Sequence, residues 1–144
     1  MSCDKGANPM RWDCATQGCF NLKKRPKIEV LADCLPGNMA FSDIDAIAEV
    51  CGNLLLLEWK SHPGLGTGQR ILFERLTLLC PAVVLVVEGD AETMDVSSTS
   101  TIFRGGISPP QPTDLDGLRE QIAAWSGWAM ANSALRDMEA ASCS

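Results

Sequence analysis

The sequence predicts an α/β protein with a mixed central β-sheet, organised as a single domain over residues 1–144. Segments with a helical spacing of apolar residues alternate with segments of strand character. Residues 82–88 form a continuous apolar run, which is typical of a central strand covered on both faces. The composition, 46% hydrophobic and 21% charged, is that of an ordinary globular chain long enough for one core. The expected order of elements is α-β-β-α-β-(β)-α.

The first predicted element is a short helix over residues 26–35. Residues 1–22 show no periodicity and are expected to be irregular. A basic run, Lys23-Lys24-Arg25-Pro26-Lys27, leads into the helix, and Pro26 suits the first turn because proline lacks the N–H that a first turn leaves unpaired. The turn-forming sequence Pro36-Gly37-Asn38 is expected to end this helix.

A β-hairpin is predicted next, from two strand-like segments over residues 41–50 and 54–61. The intervening Cys51-Gly52-Asn53 allows two registers. A turn at Gly52-Asn53 places position 45 opposite position 60, whereas a turn at Cys51-Gly52 places position 45 opposite position 58. Because strand side chains alternate between faces, both registers put Asp45, Glu58 and Lys60 on one face of the sheet.

The second half of the chain is predicted to contain two helices and one or two strands. A loop over residues 61–67 precedes a helix over residues 68–79, whose apolar stripe is Ile71, Leu72, Leu76 and Leu79. The central strand over residues 82–88 follows, and a weaker strand is expected within residues 94–103. A C-terminal helix is expected over about residues 114–138, with an apolar stripe of Leu115, Leu118, Ile122, Trp125, Ala129 and Leu135.

Charge and cysteine content restrict the classes of function. A net charge of −6 argues against a general nucleic-acid coat protein, but not against a metal-dependent enzyme, since a metal site concentrates carboxylates. Residues 1–10 have no apolar run of the signal-peptide type, and the longest apolar stretch, residues 54–57, is too short to span a bilayer. A cytoplasmic protein whose seven cysteines are reduced is therefore expected.

The predicted hairpin carries the most informative group of side chains. Two carboxylates and an ammonium within leucine-rich strands are costly to bury unless they are paired or bound to a cation. Neighbouring carboxylates, Asp45 and Glu58, form a hard-oxygen site suited to Mg²⁺, and Lys60 beside them could orient a water and stabilise charge on a phosphate. A purely structural ion pair of Lys60 with Glu58 or Asp45 is the alternative.

At these positions the sequence resembles the PD-(D/E)xK nuclease superfamily. The motif is Asp45, then twelve residues, then Glu58-Trp59-Lys60, on a hairpin followed by a helix and a central strand. The segments 41–47 and 54–60 look closest to small phage-type members described as resolvase-like or VRR-NUC-like. The resemblance implies a restriction-endonuclease-like α-β-β-(β)-α-β core over about residues 26–90. It also implies a nuclease, with endonuclease action favoured, that hydrolyses phosphodiester bonds in DNA with Mg²⁺ or Mn²⁺.

The resemblance also assigns roles to individual residues. Asp45, Glu58 and the Trp59 carbonyl would bind the metal, and Lys60 would serve the nucleophilic water. Family members that carry a glutamine with an aromatic residue four positions later are matched by Gln69 and Phe73, and a first-helix glutamate is matched by Glu29. Two departures are evident: no proline precedes Asp45, and a phenylalanine stands at position 73 where tyrosine is more usual.

Several further residues are candidates for accessory roles. Asp43 lies on the same predicted face as Asp45, and Asp45 is favoured as the ligand because the family pattern uses the second acid of such a pair. His62, in the loop after the hairpin, is either an exposed loop side chain or a phosphate contact. The residues expected to contact the nucleic-acid backbone are basic: Lys23, Lys24, Arg25, Lys27 and Arg70.

Alternative interpretations come from other classes of protein. The same fold could be a catalytically inactive module that binds nucleic acid or a protein partner. The sequence Gly64-Leu65-Gly66-Thr67-Gly68 imitates the turn of a dinucleotide-binding oxidoreductase, although its glycine spacing differs, and a buried parallel strand is not expected to end in Glu58 and Lys60. Cys14 and Cys19 could hold zinc, but free thiols are favoured. Trp125 and Trp128 are better explained by core packing or a homodimer contact than by base stacking.

Overall fold

The computed structural model describes residues 28–135 of the chain. These residues belong to two compact units, one ending at Phe41 and one beginning at Ser42. The described part of the first unit contains a 3-10 helix, Ile28–Cys34, followed by a turn in which Gly37 has a φ of 61°. Within the described residues, the helix predicted over residues 26–35 is a 3-10 helix, so the prediction of an α-helix was wrong.

The second unit contains a six-stranded mixed sheet and two α-helices. The elements are β1 Ala46–Val50, β2 Asn53–Lys60, α1 Thr67–Leu79, β3 Ala82–Asp90, β4 Asp95–Phe103, β5 Gly106–Ile107, β6 Gln111–Pro112 and α2 Leu115–Ala131. Strand order across the sheet is β1-β2-β3-β4-β5, and β6 also pairs with β4. Among the described strands, only β2 and β3 pair in parallel, and every other pair is antiparallel. The α/β class and the mixed sheet are confirmed.

The hairpin turn lies at Cys51-Gly52, since Val50 pairs with Asn53 and Ala46 pairs with Leu57. Both turn residues have positive φ, 49° and 82°, as a two-residue type I′ turn requires. The register built on Gly52-Asn53 was wrong. Asn53 is instead the first residue of β2, and its buried side-chain amide donates to the carbonyl oxygen of Asn132 (2.9 Å) at the end of α2.

The central strand β3 has one apolar cluster on each face of the sheet. On one face, Val84 and Val86 pack with Leu56 and with Phe73 of α1. On the other face, Leu85 and Val87 pack with Leu55 of β2 and Leu118 of α2. The prediction of a strand covered on both sides is confirmed, and the strand extends to Asp90.

Helix α1 presents a different face to the sheet from the one predicted. Leu72 and Leu76 contact the apolar cluster as expected, but the fully buried residue of the helix is Phe73. Ile71 and Leu79, assigned to the buried stripe, are 41% and 84% exposed. The face of α1 that packs on the sheet is therefore rotated relative to the predicted apolar stripe. The spacing of apolar residues alone did not identify which side of the helix is buried.

Helix α2 begins at Leu115, where the Asp114 carboxylate caps it by accepting from the Gly117 N–H (2.8 Å). It ends at Ala131, so it is shorter than the predicted helix, whose last residues lie outside the described range. Trp125 packs in the cluster beneath α2, whereas Trp128 is half exposed. Across residues 28–135, no helix combines the length and apolar character needed to cross a membrane.

Replacing Gly52 by alanine is expected to lower the free energy of unfolding by about 1–2 kcal/mol, because a side chain is strained at positive φ. A Cβ at this position would also lie 2.7 Å from Cγ of Leu135. Urea denaturation would measure the change. The control is Gly68→Ala in the first turn of α1, where the added Cβ meets nothing within 4 Å and should not destabilise the protein. Equal destabilisation by both substitutions would contradict this account of the turn.

Candidate active site

The candidate site begins where the α1-facing side of β2 changes from apolar to charged. Leu56 on this face is fully buried against Phe73. Alternation places Glu58 and Lys60 next along the same face. Glu58 is only 5% exposed, so its carboxylate lies at the border of the hydrophobic core. A carboxylate in this position requires partners, because burial without them is costly.

Glu58, Lys60 and Gln69 form a closed network of polar contacts. Gln69 Nε2 donates to Glu58 Oε1 (2.6 Å), and Lys60 Nζ donates to Gln69 Oε1 (2.5 Å). The Lys60 ammonium also lies 3.2 Å from Glu58 Oε1. Gln69 reaches both side chains because it lies in the first turn of α1, which starts above the end of β2. The structure thus brings together three residues of the predicted catalytic set.

The second carboxylate oxygen of Glu58, Oε2, is buried and has no hydrogen-bond partner among the described residues. Both contacts of Glu58 in the network involve Oε1. A buried carboxylate oxygen without a partner carries a desolvation penalty, which a water or a cation at that position would relieve. Oε2 is the atom of the site that points most clearly to a ligand.

The Asp45 carboxylate binds the backbone of β2 at Trp59, the residue after Glu58. Asp45 lies immediately before β1, one residue outside the ladder in which Ala46 pairs with Leu57. Its Oδ2 accepts from the backbone N–H of Trp59 (2.6 Å). Asp45 is exposed, in contrast to Glu58, and Asp43 is exposed as well. Of the two acids, the structure connects Asp45 to the strand that carries Glu58.

The backbone N–H of Trp59 contributes to the candidate site, whereas the Trp59 side chain lies on the other face of the sheet. The indole packs in the cluster beneath α2, and its Nε1 donates to the carbonyl oxygen of Gly89 (2.9 Å). The backbone N–H binds the Asp45 carboxylate. Trp59 therefore fixes the end of β2 from both sides of the sheet.

The carboxylates near Glu58 are too few to enclose a metal ion, but they would suit a cation such as Mg²⁺ that keeps several water ligands. Within residues 28–135, no group of three or more His, Cys, Asp or Glu side chains converges on a metal position. The two carboxylates that could hold a cation are Glu58 on β2 and Asp45, which lies just before β1 and binds the Trp59 N–H. Mg²⁺ is commonly held by one or two carboxylates, with waters and substrate phosphates completing its coordination.

The remaining predicted residues lie away from this network or outside the described part. Phe73 is a core residue. Arg70 is exposed and its Nε pairs with Glu74 Oε1 one turn later (2.6 Å), while His62 is exposed in the loop after β2. Glu29 lies in the 3-10 helix of the first unit. Outside residues 28–135 are Cys14, Cys19, Lys23, Lys24, Arg25 and Lys27.

Glu88 is a neighbour of the site that the motif did not indicate. It pairs in parallel register with Lys60, and its Oε2 accepts from the Ser98 hydroxyl (3.3 Å). In the sequence, Glu88 stands out as an acidic residue at the end of an apolar strand. Its position beside Lys60 follows only once β2 and β3 are known to be parallel. Glu88 also borders an open cavity of about 500 Å³ at the strand ends. There, backbone N–H groups of Thr93 and Glu92 lower the pKa of Asp90.

Comparison with models of known families, with curated proteins and with solved structures finds no match to this chain.

The network itself can be tested through stability. Gln69→Leu should lower the free energy of unfolding by about 1–3 kcal/mol, because it leaves the buried Glu58 carboxylate with fewer partners. Denaturant titration in the presence of chelator would measure this. Arg70→Leu is the matched control, since it removes an exposed pair worth roughly 0.3–0.5 kcal/mol from the same helical turn. A loss no larger for Gln69→Leu than for the control would argue against the network.

Proposed function

We propose that this protein is a Mg²⁺- or Mn²⁺-dependent nuclease that hydrolyses phosphodiester bonds in DNA, with Asp45, Glu58, Lys60 and Gln69 at its centre. The observation that carries the proposal is the buried, unpartnered Oε2 of Glu58, next to an ammonium and on the strand whose Trp59 N–H binds the Asp45 carboxylate. The ion pair to Oε1 leaves Oε2 without a partner. A site that receives a cation together with its substrate provides one.

In this mechanism the carboxylates of Asp45 and Glu58 would hold the cation. When bound, such a cation lowers the pKa of a coordinated water and offsets charge on the attacked phosphate. Lys60 Nζ has three donors and no acceptor, so it would orient the attacking water through the oxygen and stabilise negative charge on the phosphate. Gln69 fixes the positions of both the Lys60 ammonium and Glu58 Oε1.

DNA as the substrate, and endonuclease action on branched or otherwise structured DNA, are supported by the resemblance of the hairpin motif to the PD-(D/E)xK superfamily. The mixed sheet and the position of Gln69 at the start of the following helix agree with that resemblance. Among the residues proposed to contact DNA, only Arg70 lies in the described part of the chain. Its exposed position at the start of α1 is compatible with a phosphate contact near the site.

An inactive module with the same fold is the alternative that the Lys60–Glu58 ion pair favours. In such a protein the ammonium would permanently neutralise the carboxylate. The unpartnered Glu58 Oε2 argues for a retained cation site, and measuring cleavage decides between the two.

A dinucleotide-binding oxidoreductase has one structural feature in its favour. Strands β2 and β3 are parallel and joined by α1, so the expectation that β2 would not be a parallel strand was wrong. However, such enzymes bind a pyrophosphate at the N-terminus of this helix. Here a side chain of the first turn, Gln69, is bonded to the Glu58 carboxylate, so this end of the helix already faces a protein carboxylate.

Metal dependence is the direct test of the proposal. The purified protein should cleave labelled DNA, offered as duplex, flap, branched junction and single strand, when Mg²⁺ or Mn²⁺ is present. Chelator should abolish cleavage, and Ca²⁺ should support binding with little turnover. Glu58→Gln, which keeps the shape of the side chain but not its charge, serves as the inactive control. Cleavage that persists in chelator, or equally in Glu58→Gln, would contradict the mechanism.

Substitutions of Asp45 and Asp43, the two acids before β1, should differ sharply in their effect on the cleavage rate. Asp45→Asn should reduce the cleavage rate by more than about 100-fold, since loss of even an outer partner of a metal site commonly costs 10–100-fold. The carboxamide oxygen can still accept from the Trp59 N–H, so the fold should persist. Asp43→Asn should keep most of the rate, because two residues along an extended chain are about 6.6–6.8 Å. Both variants are assayed on one substrate at saturating Mg²⁺. An inactive Asp43→Asn beside an active Asp45→Asn would show that the wrong acid has been assigned.

A further inference from the structure

The Lys60 ammonium has two carboxylates within reach of its flexible side chain, Glu58 on its own strand and Glu88 on the neighbouring strand. We propose that Glu88 is a positioning residue that takes over the Lys60 ammonium when a divalent cation occupies Glu58. This inference rests on the proposed function, because it concerns what happens to Lys60 as the cation binds. It adds a third acid to the site, with a role distinct from binding the cation.

Strand register places Glu88 beside Lys60. The two residues are paired on parallel strands, which lie about 4.8 Å apart, and paired residues project from the same face. Glu58 is paired with Val86, so Glu88 is the first acid that Lys60 meets on the β3 side. On the other side of β2, Asp43 is exposed and precedes β1, outside the ladder.

The backbone around Glu88 is held firmly in place. A β-bulge follows Glu88, because Ser97 is an extra residue on β4 between the pairs Glu88–Ser98 and Gly89–Val96. The Ser97 hydroxyl donates to the Glu88 carbonyl oxygen (3.1 Å). Position 89 admits only glycine, since a Cβ there would lie 2.2 Å from the Asp95 carbonyl oxygen. These contacts fix the backbone position of Glu88 at the end of the β3–β4 ladder.

The Glu88 carboxylate is half-buried and has a hydroxyl partner but no cation within ion-pair distance among the described residues. Its Oε2 accepts from Ser98. The described ion pairs place Lys60 on Glu58 and Arg70 on Glu74. The Glu88 carboxylate could therefore form an ion pair with the Lys60 ammonium, which is paired with Glu58 in this structure.

Cation binding supplies the reason for the exchange. Lys60 and a divalent cation would compete for the same carboxylate, and two positive charges a few ångströms apart repel each other. The Lys60 side chain is only 23% exposed, so moving its ammonium away from Glu58 without a new partner would be unfavourable. Glu88 offers that partner at the adjacent strand position, which keeps the ammonium beside the cation rather than in solvent.

The test measures cation affinity rather than activity. Mn²⁺ binding is titrated by electron paramagnetic resonance for the wild type, Glu88→Gln, Lys60→Met and the double variant. Glu88→Gln should weaken Mn²⁺ binding about three- to ten-fold, the size of one favourable ion pair. Lys60→Met should not weaken binding, because it removes a competitor for Glu58. In the Lys60→Met background, Glu88→Gln should have no effect.

Glu92→Gln is the matched control. Glu92 lines the same cavity and loses the same charge, but it has no register partner on β2, so binding should stay within about two-fold of the wild type. Thermal unfolding confirms that each variant is folded. If Glu88→Gln does not fold, Ser98→Ala replaces it, with a smaller effect expected in the same direction because the carboxylate loses its hydroxyl partner.

The outcomes separate this inference from the proposed function. If the wild type binds no Mn²⁺, the cation site and the exchange are both overturned. If the wild type binds Mn²⁺ but Glu88→Gln matches Glu92→Gln, only the exchange is overturned. A Glu88→Gln effect that persists without Lys60 would also overturn it, since Glu88 would then act on the cation directly.

Discussion

The structure around the site depends on one constraint, the burial of the Glu58 carboxylate at the border of the hydrophobic core. The residue two positions earlier on the same face, Leu56, is fully buried, and nothing in the strand separates the apolar contact from the charge. A carboxylate there is tolerated only with close polar partners. Lys60 and Gln69 are those partners, and they come from the same strand and from the helix that follows it.

This constraint connects the βαβ unit to the chemistry. Helix α1 begins above the end of β2 and packs through Phe73, so Gln69 is placed one turn before the apolar contact. The apolar contact and the polar network therefore orient the same helix. A rotation of α1 that buried Ile71 instead would also carry Gln69 away from Glu58. The packing of one helix thus sets the geometry of the candidate catalytic residues.

The sequence allowed prediction of the fold class, the central strand and the grouping of Asp45, Glu58 and Lys60 near one another. These follow from local patterns: a continuous apolar run, strict alternation and a short turn. The turn position did not follow from the sequence, because Gly52-Asn53 is a common turn pair and Asn53 is used instead to bind the end of α2. That use depends on a residue 79 positions away.

Other features of the site were also beyond local reasoning. The pairing of Lys60 with Glu88 requires the parallel arrangement of β2 and β3, which neither strand indicates by itself. The hydrogen bond between Asp45 and the Trp59 backbone depends on a chain that leaves the ladder just before β1. Patterns within one element singled out the candidate residues, whereas contacts between elements determined which oxygen of each residue is engaged.

The bond from Asn53 to the end of α2 has a consequence for how the chain acquires its site during synthesis. The hairpin leaves the ribosome long before α2, yet the buried amide of Asn53 donates to the carbonyl oxygens of Ala129 and Asn132 at the end of that helix. The Cys51 carbonyl likewise receives the N–H of Ala134 (2.9 Å). Contacts so distant in sequence form late, because the loop they close must be ordered first. We therefore expect a nascent chain that lacks α2 to hold Asp45 and Glu58 on a hairpin whose turn is not yet secured by the contacts with residues 129–134.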